Sequence, residues 1–272
     1  MNLIIMLKYL IVLSFVFFLC NPVFSQGDAQ YNLGLIKYNN KDYKEAILDF
    51  DKAIALDSIL IEAYEIRASS KAKLLDYKGA IADYNKALKL DPKNAVSYFN
   101  RGFIKSQMKL YTEALADYNK SLGLDNDNET SYYTRGVTKI FLKDLTGAIL
   151  DFNKAIEFDK SYTLAYFTRA NTKRDLGDQK GAILDYSTTI ETDKNFVDAY
   201  YNRGILKGYQ KDYLGAIADF SNVIELNQKN GKAYYNRGLA RIQVKQNGCD
   251  DFKKAVSLGY KEALDILSKY CK

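Results

Sequence analysis

Apolar residues recur along this chain at intervals of three, four, seven and eight, the spacing of one face of an α-helix, and the pattern restarts every 34 residues. In one such stretch, Ala199-Tyr200-Tyr201-Asn202-Arg203-Gly204-Ile205-Leu206 opens a first helix and Gln210-Lys211-Asp212 makes a polar turn. A second helix then carries Tyr213, Ala216, Ile217, Phe220, Val223 and Ile224 on one stripe. Three registers keep phase with this period. A small residue stands at Gly34, Ala68, Gly102, Gly136, Ala170, Gly204 and Gly238. Twelve residues on come Ala46, Ala80, Ala114, Ala148, Ala182 and Ala216, and four further on Phe50, Tyr84, Tyr118, Phe152, Tyr186 and Phe220. The pattern predicts a repeat of two-helix units. The small residue lets the two helices of a unit approach, and the aromatic fills the space beside it. One helical hairpin cannot bury its stripe alone, so the units must stack side by side. The expected fold is all-α, with about seven tandem units over 27–258 and a C-terminal capping helix over 259–272.

Units end in Asp57, Asp91, Asp125, Asp159, Asp193 or Asn227, residues that start turns by bonding backbone amides. The seventh unit loses two residues in its turn, so Gly248 takes the alanine place and Phe252 the aromatic place. Early in the first helices stand Tyr64, Tyr98, Tyr132, Tyr166, Tyr200 and Tyr234. Together these features resemble the tetratricopeptide repeat family. The resemblance implies a right-handed superhelical solenoid whose first helices line a concave, peptide-binding groove. Two departures mark a divergent branch. Leucine before the small residue is kept only as Leu33, with arginine at 67, 101, 135, 169, 203 and 237, and the junction proline survives only as Pro92.

The arginines have regular companions. An aspartate precedes each second-helix aromatic (Asp83, Asp117, Asp151, Asp185, Asp219 and Asp251), and a lysine or arginine follows each arginine by four. The period favours a ladder in which guanidinium heads pair with the aspartates. The competing reading is a basic track for an acidic polymer. A second column comprises Tyr31, Phe99, Tyr133, Phe167, Tyr201 and Tyr235, with Glu65 the exception, often followed by an amide: Asn32, Asn100, Asn202 and Asn236. Rings give rigid contact area and amides can bond an extended backbone, so these are the candidate partner-binding residues. Packing between neighbouring first helices explains the rings equally well. Family members that clamp a C-terminal carboxylate place lysine where these rings stand, which disfavours that ligand here.

Composition removes whole classes of chemistry. The chain has no histidine, hence no Ser/His or Cys/His pair and no commonest metal ligand. Its glycines follow the repeat and form no phosphate loop. No catalytic residue, metal or cofactor is expected, and the chain reads as a binding protein rather than an enzyme. A formal net charge of +6 with alternating signs gives no nucleic-acid footprint. The partner expected is a protein or peptide; self-association and a structural role in envelope assembly stay open.

Residues 1–25 read as a signal peptide: Lys8, an apolar run to Cys20, the break Asn21-Pro22 and the small-residue site Val23-Phe24-Ser25. Cleavage before Gln26 would leave no membrane span and export the chain to the periplasm, the cell envelope or the extracellular space. Retention as an anchor is the alternative. Export would discard Cys20 and leave Cys249 and Cys271. An antiparallel return of the last helix brings those two side by side, which predicts a disulfide.

Overall fold

The computed structural model describes residues 26–271, which form fifteen α-helices with no strand among them. The expected signal peptide over 1–25 lies outside the described residues. The helices divide between two compact units that meet in sequence at Leu110 and Tyr111. The first contains α1 (Gln26–Asn39), α2 (Tyr43–Leu56), α3 (Ile61–Lys73), α4 (Tyr77–Leu90) and α5 (Ala95–Gln107). The second contains α6 (Tyr111–Leu124), α7 (Glu129–Phe141), α8 (Leu145–Phe158), α9 (Thr163–Asp175), α10 (Gln179–Thr192), α11 (Val197–Tyr209), α12 (Tyr213–Leu226), α13 (Gly231–Gln243), α14 (Cys249–Ser257) and α15 (Ala263–Tyr270). Within each unit, helices that follow one another pack as antiparallel hairpins, the solenoid arrangement the period predicts.

Local chemistry sets the boundaries. Asp76, Asp144, Asp178 and Asp212 cap α4, α8, α10 and α12, each accepting the backbone N–H of a glycine three residues on. The unit-ending residues do what their type suggests: the carboxylates of Asp57, Asp91, Asp159 and Asp193 accept the N–H two residues later. Every turn inside a hairpin is closed by one residue in the left-handed region, always seven after the small residue. These are Lys41, Leu75, Lys109, Lys143, Gly177, Lys211 and Lys245, with φ between 59° and 86°. Glycine would fit there without strain, yet only Gly177 supplies it.

Packing explains the other registers. A Cβ added to Gly34, Gly136 or Gly238 would fall 2.6, 2.7 or 2.8 Å from the ring of Phe50, Phe152 or Phe252, so the ring occupies the room the glycine leaves. The alanines twelve residues on are fully buried. In the shortened last hairpin both positions are glycine, and a Cβ on Gly248 would run into the Gly238 carbonyl. Phe252, Ala255 and Ala263 form the terminal core, with Tyr234, Leu239 and Ile266 packed against it. Helix α15 begins at Ala263, inside the 259–272 expected for the capping helix, because three-residue turn bonds from Ala263 to Tyr260 and from Leu264 to Lys261 take up the start of that segment.

Candidate functional site

Charge on the first helices is tied up in a ladder that spans neighbouring hairpins. Arg203 donates from Nε and Nη2 to Asp219 at 3.0 and 2.6 Å, and from Nη1 to Ser187 on the preceding second helix at 2.9 Å. Lys207 reaches Asp219 Oδ2, which also accepts from Arg203 Nε, at 2.9 Å. The pattern repeats at Arg67 with Asp83 and Asp51, at Arg135 with Asp151 and Asn119, at Arg169 with Asp185 and Asn153, and at Arg237 with Asp251 and Ser221. Each guanidinium also lies over the tyrosine three residues before it, at 5.3–5.8 Å from the ring centre. Fork geometry is what lets one side chain serve two acceptors and a ring. These five side chains are 14–17% exposed, which leaves little guanidinium for an acidic polymer. In the first hairpin, where Leu33 replaces arginine, Asp49 is held by Lys37 and Lys52.

The aromatic column is half-buried rather than open. Tyr31, Tyr133, Phe167, Tyr201 and Tyr235 each pack on the aromatic of their own second helix, with ring centres 5.8–6.0 Å apart. Three of them also meet a ring from the following junction: Tyr133 with Tyr162, Phe167 with Phe196 and Tyr235 with Tyr260. Their polar tips link hairpins, since Asn236 donates to the Tyr201 hydroxyl at 3.0 Å and the Tyr133 hydroxyl sits 3.2 Å from that of Thr168. Tyr186 donates to the Asn171 carbonyl oxygen at 2.7 Å, which Asn202 also reaches at 3.3 Å. Burial pushes the Tyr186 hydroxyl up to about 12. Tyr31 is raised by burial first and by Glu62 and Glu65 second. Of the sequence-read candidates, Tyr31, Asn32, Phe99 and Asn100 lie in the first unit and the rest in the second; Asn32 is exposed, while Phe99 and Asn100 are half-buried. All six rings are thus half-buried, and five of them pack on a second-helix aromatic.

Each unit has a cleft between successive first helices, at equivalent registers of the repeat. In the first unit Ser69, Lys73, Tyr77, Asn100, Phe103 and Gln107 line one of about 270 Å³. In the second, Ile205, Tyr209, Tyr213, Asn236, Leu239 and Gln243 line one of about 320 Å³. Asn100 and Asn236 are thus the sequence-read candidates that reach an opening. Exposed rings stand five residues after the small residue, in Tyr209 at the second cleft and in Phe141 at the same register of α7: Tyr209 is 75% and Phe141 56% exposed, the latter stacked on Tyr111 at 4.6 Å. Sequence reasoning missed these residues, because an aromatic at helical spacing looks like core.

Cys249 and Cys271 are joined by a disulfide, with Cα atoms 5.6 Å apart. Among the described residues no cluster of acidic or cysteine side chains could hold a metal ion, and no helix is long and apolar enough to cross a membrane.

Tetratricopeptide-repeat family models match residues 27–58, 76–109, 95–128, 129–162 and 197–230. The chain belongs to the tetratricopeptide repeat family. Among solved structures it is similar to a tetratricopeptide repeat protein of Parabacteroides merdae, at 20% identity and TM-score 0.63 over 89% of this chain and 97% of that one. The C-terminal part of a repeat protein from Cytophaga hutchinsonii matches at 18% identity and TM-score 0.73, over 86% and 98%. YrrB, described as a repeat protein with an unusual peptide-binding site, matches at 24% identity and TM-score 0.61, over 68% and 96%. No curated protein sequence matches the chain.

Proposed function

We propose that the chain is a protein-interaction scaffold that holds an extended peptide, or a peptide-like segment of a protein, against the cleft-bearing side of its first helices. The observation that carries this is the pairing of an exposed ring with uncharged amides in one cleft, Tyr209 beside Asn236 and Gln243, while the arginines are engaged elsewhere; Phe141 exposes a second ring at the equivalent register of α7. Rings and amides suit an extended backbone with apolar side chains. At 24% identity the YrrB likeness carries the fold alone, so the reading rests on the residues of this chain. No catalysis is assigned, since the chain offers no histidine to serve as general base.

The test is site-specific photocrosslinking in the native host. A photoreactive phenylalanine at Tyr209 should capture a partner protein, and the same group at Leu184, exposed on the second helix α10, should not. Adducts only from position 184 would move the binding surface to the other side of the solenoid.

Export belongs to the same reading. The apolar run ending at Cys20, the site Val23-Phe24-Ser25 and the Cys249–Cys271 bridge support a chain that works in an oxidising compartment outside the cytoplasm. Intact-mass measurement of host-derived protein should find Gln26 at the N-terminus. A species that keeps Met1 in the membrane fraction would replace cleavage with anchoring.

A further inference from the structure

We propose that the cleft between α11 and α13 is an anchor pocket that accepts one bulky apolar side chain, of the leucine, phenylalanine or tryptophan type, from an extended peptide. The inference rests on the groove reading and adds the chemistry of the ligand.

Gly208 is a glycine that neither backbone shape nor close packing requires. Four residues after the small residue, successive hairpins carry Tyr38, Ala72, Ser106, Ile140, Arg174, Gly208 and Ile242. Gly208 lies in the last turn of α11, where glycine is a poorer helix former than alanine. Backbone shape does not require it, since only Gly177 and Gly259 among the described glycines have positive φ. Close packing does not require it either: a Cβ added there meets no atom within 4 Å. What the missing side chain does is open the cleft.

A second small residue widens it. Ala240 stands where earlier hairpins place Ile104, Thr138, Thr172 and Leu206. The floor is Phe220 and Tyr213, the walls are Ile205 and Leu239, and Tyr209 stands exposed at the mouth. At about 320 Å³ the space is at the small end of ligand pockets, which run from roughly 300 to 1,000 Å³. That is room for one side chain rather than a cofactor. Asn236 and Gln243 at the rim can bond the ligand backbone beside the inserted group. The register-equivalent cleft of the first unit replaces Ile205 by Ser69 and Tyr209 by Lys73, so its mouth is polar where this one is apolar. An inserted aliphatic or aromatic group would bury apolar surface against Ile205, Tyr213, Phe220 and Leu239, and no charged side chain lines the pocket, which favours that occupant over a charged one.

The experiment pans a random dodecapeptide display library on the chain, then measures the enriched peptides against three variants. Gly208→Ile fills the pocket with the residue that Ile140 and Ile242 already place at this register. Gly208→Ala adds one methyl to open space and controls for the change in helix propensity. Tyr209→Ala removes the exposed ring. The chain contains no tryptophan, so a peptide carrying one reports burial of its own indole by fluorescence. Enriched peptides should share one bulky apolar residue, bind Gly208→Ala within about twofold of the parent, and weaken at least about tenfold on Gly208→Ile. Helical circular dichroism through thermal unfolding should show Gly208→Ile as folded as the parent. Peptides that lose affinity on Tyr209→Ala but bind Gly208→Ile unchanged, or that share no apolar residue, would overturn the pocket and leave the groove standing. Peptides indifferent to all three variants would remove the groove reading as well.

Discussion

Arg203 holds two second helices at once, pairing with Asp219 of its own hairpin and with Ser187 of the hairpin before. Asp219, whose side chain is 2% exposed, depends on Arg203 and Lys207 for its charge partners. Asp219→Ala should therefore destabilise the protein by about 3 kcal/mol, because it strands two cations at a buried seam. Arg203→Lys keeps the charge and loses the fork, and should cost about 1–2 kcal/mol. Urea denaturation reads both, and an effect of Arg203→Lys below about 0.5 kcal/mol would show that the second acceptor contributes nothing.

The left-handed turn residue gives a prediction of opposite sign. Leu75 has φ 65° and is 72% exposed, so it bears the conformational cost without a compensating contact. Leu75→Gly should stabilise the first unit by about 1 kcal/mol, and Gly177→Ala should cost the second a similar amount. Equal unfolding midpoints for Leu75→Gly and the parent would mean that glycine's larger unfolded-state entropy cancels the relief.

Tyr186 sets an alkaline limit. Its hydroxyl is raised from 10.0 to about 12, mainly by burial, so between those values the folded chain holds a proton that the unfolded chain releases. Its contribution is full below about pH 10 and is lost as pH rises towards 12. Stability measured across that window should fall less steeply in Tyr186→Phe than in the parent. An unchanged slope would assign the alkaline loss to other groups.

The Cys249–Cys271 bridge closes a loop with a sequence separation of 22, worth about 3 kcal/mol in chain entropy. Reduction, or Cys271→Ser, should speed amide hydrogen exchange across 263–270 while leaving α7 to α12 protected. Thiol titration of the unreduced mature chain should find no free cysteine even in denaturant; two thiols would remove the bridge.

The fold was legible because the packing demand repeats. Gly136 must meet Phe152, and the same geometry writes the same residue types every 34 positions. The Arg203–Asp219 pair was legible for the same reason. Its second acceptor was not, since Asp51, Asn119 and Ser187 fill that role with different chemistry and the period blurs. The hairpin turns hid their left-handed residue behind lysine, which carries no turn signal. Ring exposure could not be read at all: Tyr201 and Tyr209 are both tyrosines on one helix, yet Phe220 of its own hairpin and Asn236 of the next half-bury the first while the second stays in water. Alanine at Tyr133, Phe167 and Tyr201 would therefore cost stability along with any binding, so Tyr209 and Phe141 are the cleaner positions to probe.

The two-sided grip of each arginine also constrains how such a gene can change length. A guanidinium that needs one acceptor sixteen residues ahead and another sixteen behind carries half of its bonding instructions in the neighbouring block. Duplicating or excising a whole 34-residue block leaves every arginine with both acceptors, wherever the cut falls. An increment of another size within a helix shifts the side chains beyond it around the helix axis and parts an arginine from an acceptor; the two residues missing from the last turn are tolerated because Arg237 still reaches Asp251, fourteen residues ahead. The helical part of the array therefore lengthens or shortens in whole steps, like a chain sold by the link, and smaller changes fall to the turns.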